Sequence, residues 1–155
     1  MKHLSDDLVD VAFLETTDIG GTNAQFGDVD MRKCERVYAR VEVGTWDATD
    51  DLDECRLEQG DSGGNWKDLT TDASGGNYDT AAPVDADGNV VVLEASAEDL
   101  DRENGFYRVR GYVAEGGNTG PDFVTGVIFG HNSKIKHAYR EAAPVTGEKV
   151  YVRPT

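Results

Sequence analysis

The sequence predicts an all-β protein, a β-sandwich or jelly roll of about eight antiparallel strands followed by a C-terminal extension. Three observations predict it. Val outnumbers Leu 17 to 8, and β-branched side chains suit a pleated surface better than a helix. The 18 Gly and 4 Pro are spread as turn punctuation rather than gathered into one linker. Between those turns run short segments with a period of two, and no repeat of fixed length suggests a propeller or solenoid. Leu, Ile, Val and Phe together make 33 of 155 residues. That share, about 21%, lies just above the level below which highly charged chains stay disordered.

The first strand is expected over Val9 to Glu15, ending before the Gly20-Gly21 turn, and a weaker one follows from Ala24 to Val29. Glu35 to Gly44 alternates most cleanly, with Val37, Ala39, Val41 and Val43 facing one way and Tyr38, Arg40 and Glu42 the other. After an acidic loop, Glu54 to Gln59 returns with Cys55 and Leu57 inward. The cluster Asp61-Ser62-Gly63-Gly64-Asn65 turns the chain into a short strand from Trp66 to Thr70. A long polar loop over 72–88 precedes Asn89 to Ala95, whose Val90-Val91-Val92-Leu93 core predicts a strand covered on both faces. Ser96, with Asp99 three residues on, has the form of a cap for one helical turn. Phe106 to Ala114 sets Tyr107, Val109, Gly111 and Val113 against Phe106, Arg108, Arg110 and Tyr112. Phe123 to Gly130 is a further apolar strand, and Glu148 to Arg153 is the last strand-like piece. The chain thus divides into an N-terminal arm over 1–7, a sandwich domain over 8–133 and a basic extension over 134–155.

The charge is lopsided, with 30 acidic against 15 basic residues and a net charge of -15. Such a chain does not compete for nucleic-acid phosphates or anionic membranes, which are won with Lys and Arg. No apolar run reaches the roughly 18 residues of a membrane helix, and the start lacks the apolar stretch of a secretory signal. The extension is the exception: Lys134, Lys136, Arg140, Lys149 and Arg153 face only two acids there, Glu141 and Glu148.

Few residues suggest catalysis or a cofactor. His3, His131 and His137 lack the Cys or Glu spacing of a zinc site, and the Gly60-Asp61-Ser62-Gly63-Gly64 run falls in an expected turn between two strands, not at the strand-to-helix elbow of a nucleophilic serine. Asp85-Ala86-Asp87-Gly88-Asn89 opens like an EF-hand loop, but Val90 and Ser96 stand where Gly and a bidentate Glu are required. An irregular calcium site at Asp47, Asp50, Asp51 and Asp53 is weighed against a solvated charge cluster, and the cluster is preferred. The Gly pairs are expected in turns with positive φ, not in phosphate loops. Cys34 and Cys55 are expected as buried thiols rather than a bridge. Aromatic residues beside Arg108 and Arg110 fit a protein contact surface, as Arg and aromatics are enriched there. The alternative is that this face is covered by the extension.

The order of motifs resembles a known family. Cys55 to Leu69, with its Leu57-Glu58-Gln59-Gly60-Asp61 and Trp66-Lys67-Asp68 runs, is similar to the "L-Q-E-S-x-D-G-x-x-W-x-D-V" hairpin of small tailed-phage structural proteins. Asp28-Val29-Asp30-Met31 followed by Glu35-Arg36-Val37 resembles their "I-D-M-x-G-Y-D-x-V" segment. Asn89 to Ala95, Leu100, Tyr107 to Arg110 and Val124 to Gly130 resemble the later ones, so the likeness covers about residues 8–138. Departures are Gly60 where Ser or Ala is usual, a longer 72–88 loop and the basic extension. The resemblance implies a jelly-roll capsid cement or decoration protein, not an enzyme and without a cofactor. Its expected place is the outer surface of an icosahedral phage head, clamping neighbouring major capsid proteins, as a homotrimer sooner than a homodimer. Candidate contacts are Arg108, Arg110 and Tyr112 with the five basic residues of the extension. The alternatives are a head–tail connector or tail component, and a carbohydrate-binding sandwich using Trp46, Trp66 and Tyr78.

Overall fold

The computed structural model describes residues 8–45, 52, 54–69, 88–115 and 120–132, and the backbone of 149–152. Nine strands form among them: β1 (Leu8–Asp18), β2 (Asn23–Asp30), β3 (Arg36–Val43), β4 (Glu54–Gly60), β5 (Trp66–Asp68), β6 (Val90–Ser96), β7 (Arg108–Ala114), β8 (Phe123–His131) and β9 (Lys149–Val152). They build two sheets, ordered β1-β8-β3-β6-β9 and β2-β7-β4-β5. Through the first eight strands the chain pairs 1-8-3-6 in one sheet and 2-7-4-5 in the other, always antiparallel, which is the strand order of a jelly roll. The ninth strand falls where the last strand-like piece, Glu148 to Arg153, was expected, and departs from the expected antiparallel set in its pairing. It lies inside the C-terminal extension and pairs parallel with β6, from Val90↔Lys149 to Leu93↔Val152.

Alternation puts the apolar residues inside. In β3, Val37, Ala39, Val41 and Val43 are buried while Arg36, Tyr38, Arg40 and Glu42 are half-exposed. Facing them are Val109 and Val113 of β7 and Cys55 and Leu57 of β4. Val90 to Leu93 are all buried, as a run apolar on both faces requires. Ser96 donates its backbone N–H and its hydroxyl to Asp99 Oδ2 at 2.7 and 2.8 Å. The hydroxyl thus donates where a helix cap would accept a backbone N–H, and the expected helical turn is replaced by a plain turn, with a single 3-10 turn following at Arg102–Asn104.

Two strands break the period of two. In β2, one extra residue sits between Phe26↔Gly111 and Val29↔Val109, with Gly27 at φ +77°. This bulge lets Phe26 and Val29, three apart, both face the core. In β1, similar shifts fall between Val9 and Ala12 and between Leu14 and Thr17, with Asp10 at φ +50°. Asp10 Oδ2 accepts the Asp30 N–H at 3.0 Å and pairs with Lys33 at 3.5 Å, tying β1 to the β2–β3 turn of the other sheet. β1 is an edge strand, and its bulges hinder pairing with a further strand.

The Phe26 ring fills the space between the sheets. A Cβ on Gly111 of β7 would come within 2.3 Å of it, and one on Gly126 of β8 within 3.2 Å. Cys34 and Cys55 are separate buried thiols. Burial, seconded by Asp10 and Asp30, pushes Cys34 up to about 11, so it stays protonated at neutral pH.

Gly111→Ala is expected to destabilise the fold by about 1–3 kcal/mol, because the rigid Phe26 ring must move. Gly64→Ala meets open space and carries only the strain of φ +86°, so it should cost less; urea unfolding of both variants checks the order. Titration with an aromatic disulfide reagent is expected to find no reactive thiol in the native protein and two after denaturation.

Candidate functional site: an arginine–aromatic face

Among the described residues, the outer face of the four-stranded sheet carries a dense arrangement of side-chain interactions. Register brings it about. Arg108, Arg110 and Tyr112 of β7 stand beside Gly60, Glu58 and Arg56 of β4. Trp66 and Asp68 of β5 stand beside Gly60 and Glu58 on the other side. Gly60 is the only residue of that row without a side chain, and the indole lies across it: a Cβ there would sit 2.7 Å from the ring. The departure at Gly60 noted in the sequence thus makes room for Trp66.

Spread over Gly60, the indole reaches the arginine row. Arg110 Cζ is 4.2 Å and Arg108 Cζ 5.4 Å from its ring centroid, and Arg56 Cζ is 4.1 Å from that of Tyr112. Each guanidinium is also held by carboxylates. Arg108 Nε donates to Asp28 Oδ1 at 2.7 Å and its Nη2 pairs with the other oxygen, which raises the Arg108 pKa. Arg110 donates to Glu58 Oε2 at 2.7 Å. Arg56 meets Glu58 at 3.2 Å, Asp68 at 2.9 Å and Glu54. Glu58 is central to this lattice, and its side chain is only 8% exposed. A carboxylate this buried is costly to desolvate, and cationic partners on two sides offset that cost.

The three candidates in β7 are therefore brought together, with Trp66, Arg56, Glu58 and Asp28 added. Each of these arginines is compensated by an acid of the same domain, so the face is close to neutral. Phe106 was expected beside Arg108 and Arg110. β7 begins only at Arg108, and the Phe106 ring instead packs under Lys67 Nζ at 4.2 Å, next to the Lys67–Asp101 pair. Phe123 lies in β8, in the opposite sheet. Trp66, covered by arginine, anchors the hairpin and does not offer a clear stacking platform; Trp46 and Tyr78 lie outside the described residues.

Of the basic extension, Lys149 opens β9, while Lys134, Lys136, Arg140 and Arg153 lie outside the described residues, as do Asp47, Asp50, Asp51 and Asp53. Among the described residues, no group of His, Cys, Asp or Glu has the arrangement of a metal site, and no helix is long and apolar enough to cross a membrane. A second ion-paired region lies at the β2–β3 turn, where Arg32 grips Asp30 through both Nε and Nη2 at 2.9 and 2.8 Å. That grip holds the Asp30 carboxyl at about 2, well below the usual carboxylate range.

The fold and this face define an eight-stranded jelly roll, extended by one strand, with an ion-paired arginine–aromatic surface. Comparison with protein-family models, curated proteins and solved structures found no match to the chain.

Trp66→Ala is expected to lower the unfolding free energy by about 1–2 kcal/mol, through lost apolar burial and lost cation–π contact with two arginines. Near-UV circular dichroism should show the loss of the ordered indole environment while the far-UV spectrum is kept.

Proposed function

We infer that this protein is a non-enzymatic structural component of a tailed-phage virion, a cement protein seated on the outside of the icosahedral head. The observation that carries the reading is the arginine–aromatic face. Arg56, Arg108 and Arg110 are fixed by carboxylates and rings before any partner arrives. Docking such a surface immobilises few new rotamers, so little of the contact energy is spent on ordering. Arg, Trp and Tyr are also the residues that dominate binding energy at protein interfaces. The motif order that resembles small phage head proteins supports the same reading, as does the jelly-roll strand order.

In this reading the partner is the major capsid protein. Clamping acts by mass action, since a ligand that binds only the assembled lattice stabilises that lattice. A net charge of -15 keeps an abundant outer protein soluble and away from the packaged genome. The basic residues Lys134, Lys136, Arg140, Lys149 and Arg153 give a second, oppositely charged contact to acidic capsid loops.

The test is the copy number of the chain in purified source particles, by quantitative mass spectrometry against the major capsid protein. A ratio near one, or a simple fraction of it, is expected. A handful of copies per particle would move the protein to the neck or tail, and absence from the particle would overturn the virion reading. Arg110→Glu, which faces Glu58 with a like charge, is expected to weaken retention on particles by about tenfold or more.

A further inference from the structure

The outer face of the five-stranded sheet holds a second feature, unrelated to the arginine row. Phe13 of β1 is 72% exposed, and Val11 two residues before it is 45% exposed. Ala12 and Leu14 point into the sandwich, so Phe13 stands outward at the sheet's edge. Phe13 pairs with Val127 of β8, and Val127 with Arg40 of β3, so one row across the face reads Phe13, Val127, Arg40. A large side chain stands at each end and a small one between. The next row places Thr125 beside Glu42, so the low ground continues along β8. The result is an open notch of about 500 Å³ bordered by Phe13, Glu15, Arg40, Thr125 and Val127.

We propose that this face is a two-fold self-association surface, in which Phe13 of each copy enters the notch of the other. Dimensions support the fit. Two strand spacings separate Phe13 from Arg40 by about 10 Å. An aromatic ring packed on both sides at van der Waals distance needs about 7–8 Å. Knob and notch share one face, so the contact is reciprocal: the same patch serves on both copies, which closes as a dimer rather than a trimer or an open chain.

Charge selects a second copy as the occupant. Glu15, beside the knob, and Arg40, on the far wall of the notch, carry opposite signs, so the two-fold relation sets the Glu15 of each copy towards the Arg40 of the other. Arg40 and Glu42 pair at 2.7 Å on the same face and, with Glu15, leave this patch one net negative charge in a chain of net charge -15, so two such chains meet here with little repulsion. An incoming ring also lies within reach of the Arg40 guanidinium, a cation–π contact that Val127 alone would not provide. The bulges of β1 disfavour edge-to-edge strand pairing, leaving the face rather than the edge as the contact.

The inference does not rest on the virion reading, because it concerns the isolated chain and the opposite sheet. Sedimentation equilibrium of the full chain across micromolar to near-millimolar concentration is expected to show a monomer–dimer equilibrium. Phe13→Asp removes the knob, and Val127→Phe fills the notch while keeping the knob. Each is expected to weaken association by about thirtyfold or more, the effect of losing an interface hot spot. Both positions lie outside the core, so far-UV spectra and thermal unfolding should match the parent. A monomer at every concentration, a trimer, or dimerisation indifferent to both variants would each overturn the proposal.

Discussion

The position of one aromatic ring conditions most of this structure. Phe26 projects from β2 into the gap between the sheets, and two glycines, Gly111 beside it and Gly126 opposite, are small enough to receive it. The ring thus presses one strand of each sheet through its own sheet neighbour and across the gap, where shape complementarity is strictest. The Gly27 bulge is part of the same arrangement: its positive φ turns β2 so that Phe26 and then Val29 both reach the core. Without the extra residue, the side chains after Phe26 would fall on the wrong faces. The register of β2 on β7, and with it the approach of Asp28 to Arg108, follows from that single insertion.

Much of the fold was legible in the sequence because one force, burial on one face, writes itself as alternation. Val37 to Val43 and Val109 to Val113 could be assigned to faces from their spacing alone, and all face inward as expected. The apolar run of β6 was likewise readable as a doubly covered strand. Bulges were not readable, since an inserted residue looks like a failure of periodicity; β1 accordingly extends to Asp18, beyond its expected end at Glu15. The parallel docking of β9 was also hidden, as a short strand motif does not name its neighbour.

The candidate face was legible in half. Arg108, Arg110 and Tyr112 could be placed together because they share one strand and one parity. Their partners could not, because Asp28, Glu58 and Trp66 come from three other strands and depend on register. The signal was nonetheless present: Glu54, Arg56 and Glu58 alternate charge along β4 with the same parity as the arginines of β7. Opposed strands of alternating sign need only the correct offset to neutralise each other. Interlocked charge of this kind changes what the face is suited for. It gives up long-range attraction and gains a fixed pattern of donors, acceptors and rings, which discriminates among partners at contact distance.

The pairing of β1 with β8 has a further consequence, for the chain as it is made. The first strand finds its neighbour more than a hundred residues later, with Leu8 opposite His131 and Asp18 opposite Phe123. A ribosome adding about 5–20 residues per second therefore leaves β1, with Val11 and Phe13, without its sheet for several seconds. Closure of the sandwich is late by construction, and contacts of such long separation fold slowly. In that interval the acidic residues Asp10, Glu15 and Asp18, spaced along the waiting strand, act as its guard against other nascent chains.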